Sequence, residues 1–150
     1  MARNGAKSED HSSWRRELVE RFASDLDAKR FGIVALYLIG STKNGNAGPE
    51  SDIDIIIHAR AGEEQQRALN AFIARWDKRA RDTYHLRSGM HSRSVAFDAH
   101  LVTDEDIRLQ TSFAAKIDAI TDAAQLIRRY EAEPEREFAV TSGTRSEAYR

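Results

Sequence analysis

The chain contains no cysteine, which excludes a disulfide framework and any thiolate metal site. It has no long hydrophobic run either. The longest apolar stretch, Ile33 to Ile39, is far too short to cross a bilayer. The opening Met1-Ala2-Arg3-Asn4-Gly5-Ala6-Lys7-Ser8-Glu9-Asp10 has no apolar segment of the kind an export signal needs, so a cytoplasmic protein without a membrane partner is expected. An excess of one charge is also lacking: 23 Lys+Arg against 24 Asp+Glu give a net charge of −1, and no global basic field argues for nucleic acid. Gly-x-Ser-x-Gly, His-Glu-x-x-His and Walker loops are absent, which removes serine hydrolases, zinc proteases and P-loop NTPases. What is present is 150 residues, 41% hydrophobic and 31% charged, enough for one globular domain with a real core.

The informative stretch runs from Leu36 to His58. Leu36-Tyr37-Leu38-Ile39 leads into Gly40-Ser41, a loop with Gly45 and Gly48-Pro49 follows, and Ser51-Asp52-Ile53-Asp54 opens the apolar run Ile55-Ile56-Ile57. Two β-branched apolar segments around a Gly/Asn/Pro loop read as two strands. Residues two apart on a strand share a face, so Asp52 and Asp54 are expected to project together, opposite Ile53 and Ile55. Two carboxylates about 5 Å apart repel by roughly 3 kcal/mol at an effective dielectric near 20. A hard divalent cation is the natural counter-charge, since Mg²⁺ takes oxygen ligands from one or two carboxylates and substrate phosphates. Gly40 lets a phosphate approach the backbone, and the Ser41 N–H and hydroxyl can donate to its oxygens.

Elsewhere the reading is coarser. Residues 1–12 are polar and expected to fray. Ser12 or Ser13 can cap a helix in which Trp14, Leu18, Phe22 and Leu26 recur every fourth residue, running to about Lys29. Ile33 to Ile39, apolar on both faces, predicts a central first strand. Leu69, Phe72, Ile73 and Trp76 predict a second helix over about 63–81, whose Arg67, Arg75, Lys78, Arg79 and Arg81 are interleaved with Glu63, Glu64, Asp77 and Asp82 as on a solvated face. Tyr84 to Ser92 reads as a loop or short edge hairpin. Alternation over residues 94–102 predicts a third strand with Asp98 in its middle, a costly place for a carboxylate without a partner or metal. Thr103-Asp104-Glu105-Asp106-Ile107 looks like a helix N-terminus. A third helix with Ile107, Phe113, Ile117 and Ile120 is expected, then a short fourth one capped by Thr121-Asp122 and containing Leu126 and Ile127. Residues 131–150 read as a disordered tail, leaving 13–130 as the domain. His58 shares a strand face with Asp54, and His100 one with Asp98; each fits either a place beside the site or a local hydrogen bond.

Gly40-Ser41, ten residues, then Asp52-Ile53-Asp54 resembles the motif of the DNA polymerase beta-like nucleotidyltransferase superfamily, with a spacing similar to that of its minimal nucleotidyltransferases. The stretch from Val95 to Leu126 is also similar to nucleotidyltransferase domains attached to pyruvate phosphate dikinase-like proteins. The resemblance implies an α/β fold: a small mixed sheet with helices packed mainly on one face. It implies a third carboxylate from the neighbouring strand, matched here by Asp98. Asp52, Asp54 and Asp98 would then be catalytic and hold two Mg²⁺ ions, while Gly40, Ser41 and Lys43 would seat a nucleoside triphosphate, with ATP the expected donor. Many family members carry Arg where Asn44 stands, and Lys43 is the nearest substitute. The implied activity is transfer of a nucleoside monophosphate to an acceptor hydroxyl with release of pyrophosphate. The alternatives are a non-catalytic, antitoxin-like partner of a helical protein, and a small-molecule-modifying enzyme of the antibiotic type. The expected partners are the triphosphate and an acceptor that is a small molecule or a protein.

Overall fold

Four strands and five helices form around one sheet in the computed structural model of the protein, which describes residues 8–130. The expectations for residues 1–7 and for the tail 131–150 lie outside the described residues. Helix α1 (Ser8–Asp25) and the short α2 (Ala28–Phe31) precede β1 (Ile33–Leu38), and α3 (Gly40–Asn44) and β2 (Ile53–Ala59) follow. Helix α4 (Glu63–Ser88) crosses to β3 (Phe97–Val102), after which come α5 (Asp104–Leu109), a 3-10 turn (Ser112–Lys116) and β4 (Gln125–Arg129). The sheet order is β3-β2-β1-β4. β1 is antiparallel to both neighbours and β2 is parallel to β3, so the expected mixed α/β sheet is the fold. No helix among the described residues is long and apolar enough to cross a membrane.

The two-residue period of the strands sorts the core. Leu36, Leu38, Ile53, Ile55, Ile57 and Phe97 face α1 and α4. There Phe22 meets Phe72 at 5.2 Å edge-on and stacks on Phe97 at 4.9 Å, contacts worth about 0.5–1.5 kcal/mol each beyond their burial. Val34, Ala35, Tyr37, Ile39, Ile56 and Val102 face the other way, toward Ala114 and Ile117. Every residue of β1 is buried, as a strand apolar on both faces should be.

Several local expectations are corrected. Helix α1 starts at Ser8 and so needs no cap at Ser12, whose buried hydroxyl accepts from the Ala47 N–H at 3.0 Å. It ends at Asp25, short of Lys29, because Asp27 caps a separate turn by accepting from the Arg30 N–H. Helix α4 continues through Tyr84 to Ser88, where a loop was expected. Tyr84 extends its apolar face, and Gly89 at φ 74° ends it. Asp77 does not sit on a solvated face: it is half-buried and accepts from the Phe97 N–H at 2.8 Å, fixing the entry to β3. β3 itself begins at Phe97, three residues later than expected. The capping box at Thr103 and Asp106 forms, yet α5 stops at Leu109 and Gln110 turns left-handed. Ile107, Phe113, Ile117 and Ile120 therefore belong to no common helix, and Ile120 is exposed. Leu126 and Ile127 lie on strand β4, where the backbone of β1 offers a free edge that short helical propensity cannot outweigh.

Candidate active site

The register of two strands builds the site. Helix α4 carries the chain back over the sheet, so β3 enters parallel to β2 and from the same end. That pairing sets Asp54 directly beside Asp98, and Ile56 beside His100. His100 Nε2 lies 3.6 Å from Asp54 Oδ1 and 3.5 Å from Asp98 Oδ2. One ligand atom from each of Asp54, Asp98 and His100 lies within 4.8 Å of the others. The imidazole is held in place by stacking on Phe113, with ring centroids 3.7 Å apart.

Asp52 stands one residue ahead of β2, half-buried. It is not part of that tightest group, but its charge is felt there. Burial pushes the Asp54 carboxyl up to about 6, and the charges of Asp52 and Asp98 add to the shift. Asp52 is raised as well, by burial first and by Asp98 second. Three carboxylates thus converge at the N-terminal ends of two parallel strands, on the face away from α1 and α4.

Gly40 closes the site from β1. Its φ is 78°, and a Cβ there would sit 2.7 Å from Asp54 Oδ2, so glycine is required by both conformation and space. Ser41 follows at the start of α3 and is half-buried. The Gly-Ser turn and the acids therefore meet. The donor set is oxygen-rich with one imidazole and carries mutual repulsion, which suits a divalent cation, and the missing side chain at Gly40 is what lets the Asp54 carboxylate lie against the backbone of the turn.

Lys43 is brought near but is engaged: Nζ donates to Asp122 Oδ1 at 2.8 Å and to the Ala123 carbonyl at 2.6 Å. Asn44 donates to the same carboxylate at 3.3 Å. Asp104 is separate from the cluster. It sits at the far end of the same face, accepting from Arg60 Nε at 2.9 Å and meeting His58 Nε2 at 2.6 Å. Burial works upward on its carboxyl, but the His58 and Arg60 contacts outweigh it and hold the group below the ordinary range. His58 is thus a local partner, whereas His100 stands between two of the acids.

Arg15 is the residue the sequence reading missed. It is fully buried and donates to the carbonyls of Ser51 at 3.0 Å, Pro49 at 2.9 Å and His11 at 2.9 Å, tying the loop that delivers Asp52 to α1. Burial pushes its guanidinium down to about 10, with Tyr84 and Asp52 acting upward; it stays charged at neutral pH. The available signal was its place three, four and seven residues before Leu18, Val19 and Phe22, on the apolar stripe.

A family model described as a nucleotidyltransferase domain matches residues 15–126, from the buried arginine of α1 to the second residue of β4. No curated protein and no solved structure matches the chain.

Proposed function

We propose, from the fact that the chain belongs to the nucleotidyltransferase domain family, that it moves a nucleoside monophosphate from a nucleoside triphosphate to an acceptor hydroxyl and releases pyrophosphate. The observation that carries the reading is the register of Asp54 against Asp98 with Gly40 closed onto Asp54. Asp52, Asp54 and Asp98 would hold two Mg²⁺ ions, with His100 between Asp54 and Asp98 and Asp52 at the edge of the set. When bound, those ions neutralise charge on the triphosphate and leaving pyrophosphate and lower the pKa of the acceptor hydroxyl.

The chain's own residues do the rest. The Gly40 and Ser41 backbone, with the Ser41 hydroxyl, seats the β- and γ-phosphates by donating to their oxygens. Lys43, held by Asp122, contributes its charge from that position, so the seating falls mainly to Gly40 and Ser41. The acceptor oxygen bonds the α-phosphorus as the bond from that phosphorus to the bridging oxygen breaks, and Asp98 takes the hydroxyl proton. Arg15 keeps Asp52 in place by fixing the loop ahead of it.

The experiment is Asp52→Asn, which removes ligand charge at nearly constant volume. The variant is expected to melt no lower than the parent and to lose metal-dependent release of pyrophosphate by at least about a hundredfold. A folded variant with unchanged turnover would refute the assignment. A second reading, a regulatory partner protein that no longer transfers, is favoured by one observation: Lys43 is spent on Asp122. It requires that millimolar Mg²⁺ and nucleotide together leave the melting temperature unmoved.

A further inference from the structure

A polar cavity lies at the end of the sheet where the three carboxylates stand, but on the α4 side rather than on their face. It measures about 470 Å³ and is lined by Arg81, Asp82, His85, His91, Ser92 and Arg93. Helix α4 supplies one wall, where Arg81 and His85 are four residues apart and so on one face. The loop that enters β3 supplies the other. The His85 and His91 rings stack with centroids 4.0 Å apart and planes within 15°. The His85 Nδ1–H donates to the Met90 carbonyl at 3.2 Å, which fixes that ring in the wall.

The charge in this wall is mostly unspent. Asp82, its one acid, is paired with Lys78 at 2.8 Å. Arg81 is felt by Asp77 and Asp82 but makes no close pair with either among the described residues. Arg93 is exposed with no partner among them. The wall is also tied to the loop that leads to Asp52: the Ser92 hydroxyl donates to Glu50 Oε1 at 2.7 Å and the Ser94 hydroxyl to the Glu50 carbonyl at 3.0 Å. Further along, the Ile53 N–H donates to the Ala96 carbonyl at 2.8 Å, between Asp52 and Asp54.

Two guanidiniums, Arg81 and Arg93, at a cavity of this size match a tetrahedral oxyanion, which guanidinium forks bind through paired N–H donors. We propose that this cavity binds a phosphate monoester carried by the acceptor, so that the acceptor is a small phosphorylated molecule. The net charge of −1 gives no field for a long polyanion. The anion site stands on its own geometry, while the acceptor role rests on the transfer reaction proposed above.

The test has two arms. Inorganic phosphate is titrated into the full chain without metal or nucleotide while the histidine ring resonances are followed. His85 and His91 should shift saturably, with binding at least tenfold weaker in Arg93→Gln, a surface change the fold should tolerate. Equal titration curves in that variant, or the same shifts from chloride at matched ionic strength, overturn the anion site.

In the second arm, a cell's small-molecule fraction is split and one half stripped of phosphate esters by a phosphatase that is then removed. Label from the triphosphate should pass to the untreated half and fall at least tenfold in the treated one. Equal labelling overturns the acceptor assignment and leaves the transfer reading intact. A rise in the KM for triphosphate in Arg93→Gln, with acceptor dependence unchanged, gives the cavity to the donor and also overturns it. No labelling of any fraction counts against the transfer reaction and with it the acceptor role, while the first arm decides the anion site by itself.

Discussion

The two faces of the sheet are made by alternate residues of the same strands, yet they follow opposite physical rules. Toward α1 and α4 the strands present Ile53, Ile55, Ile57 and Phe97 to an aromatic cluster, and burial is maximised. Toward the other side Ile56 and Val102 join a smaller core under the short elements after β3, and the strands also present Asp54, His58, Asp98 and His100 there. The first face stabilises the fold. The second gives up stability to hold like charges together, an arrangement consistent with a metal site.

The strongest way to sharpen this contrast is to empty the stabilising face. Phe22→Ala removes a ring touching Phe72, Trp76 and Phe97 and should cost about 3–5 kcal/mol, read as a large fall in denaturant midpoint. Next comes Gly40→Ala on the other face. A side chain at φ 78° facing Asp54 Oδ2 at 2.7 Å should cost about 1–3 kcal/mol and lower turnover more than its effect on melting explains. A variant as active as the parent would mean the turn has no part in the site.

Asp54→Asn should act in the opposite direction on stability. The Asp54 carboxyl is raised to about 6 by burial and its acidic neighbours, above the value of about 3.9 for an unfolded chain. The folded state therefore holds the proton more tightly. The stability this represents is full below about pH 4 and is lost as pH rises through about 6. Without metal, the variant should melt higher than the parent at pH 8, by roughly 2–6 °C, and alike at pH 4, while losing activity. A lower melting point at pH 8 would mean the cluster is not strained.

His100→Asn should show the smallest effect. Imidazole suits Mn²⁺ better than Mg²⁺, so any excess of Mn²⁺ over Mg²⁺ in raising the melting temperature of the parent should shrink in the variant by about tenfold in apparent affinity. An unchanged ratio would remove His100 from the donor set.

Much of this was legible from residue order. Alternation around Asp98 and the run Ile53 to Ile57 give both strands and the face each side chain takes, because a two-residue period needs no tertiary information. Gly40 was read as the place where a phosphate nears the backbone, whereas the group that lies against it is the Asp54 carboxylate, which local sequence did not reveal. The end of the chain was not legible. Leu126 and Ile127 are too few to set a period, and the vacant edge of β1 decided them. Tyr84 was lost to Gly89 and the histidines around it, although it falls four residues after Ala80 on the buried face of α4.

Sequence alone determined which residues could share a face, since strand periodicity is a property of the backbone. It also determined that Asp52 and Asp54 must stand near one another. Only the tertiary structure decided that α4 would return the chain in parallel, bringing Asp98 beside Asp54 and His100 between them. It likewise decided that Arg15 would enter the core to hold the loop at Ser51 and that Asp122 would engage Lys43. Those pairings join residues far apart along the chain, and their distances follow from how the elements pack, which no local pattern encodes.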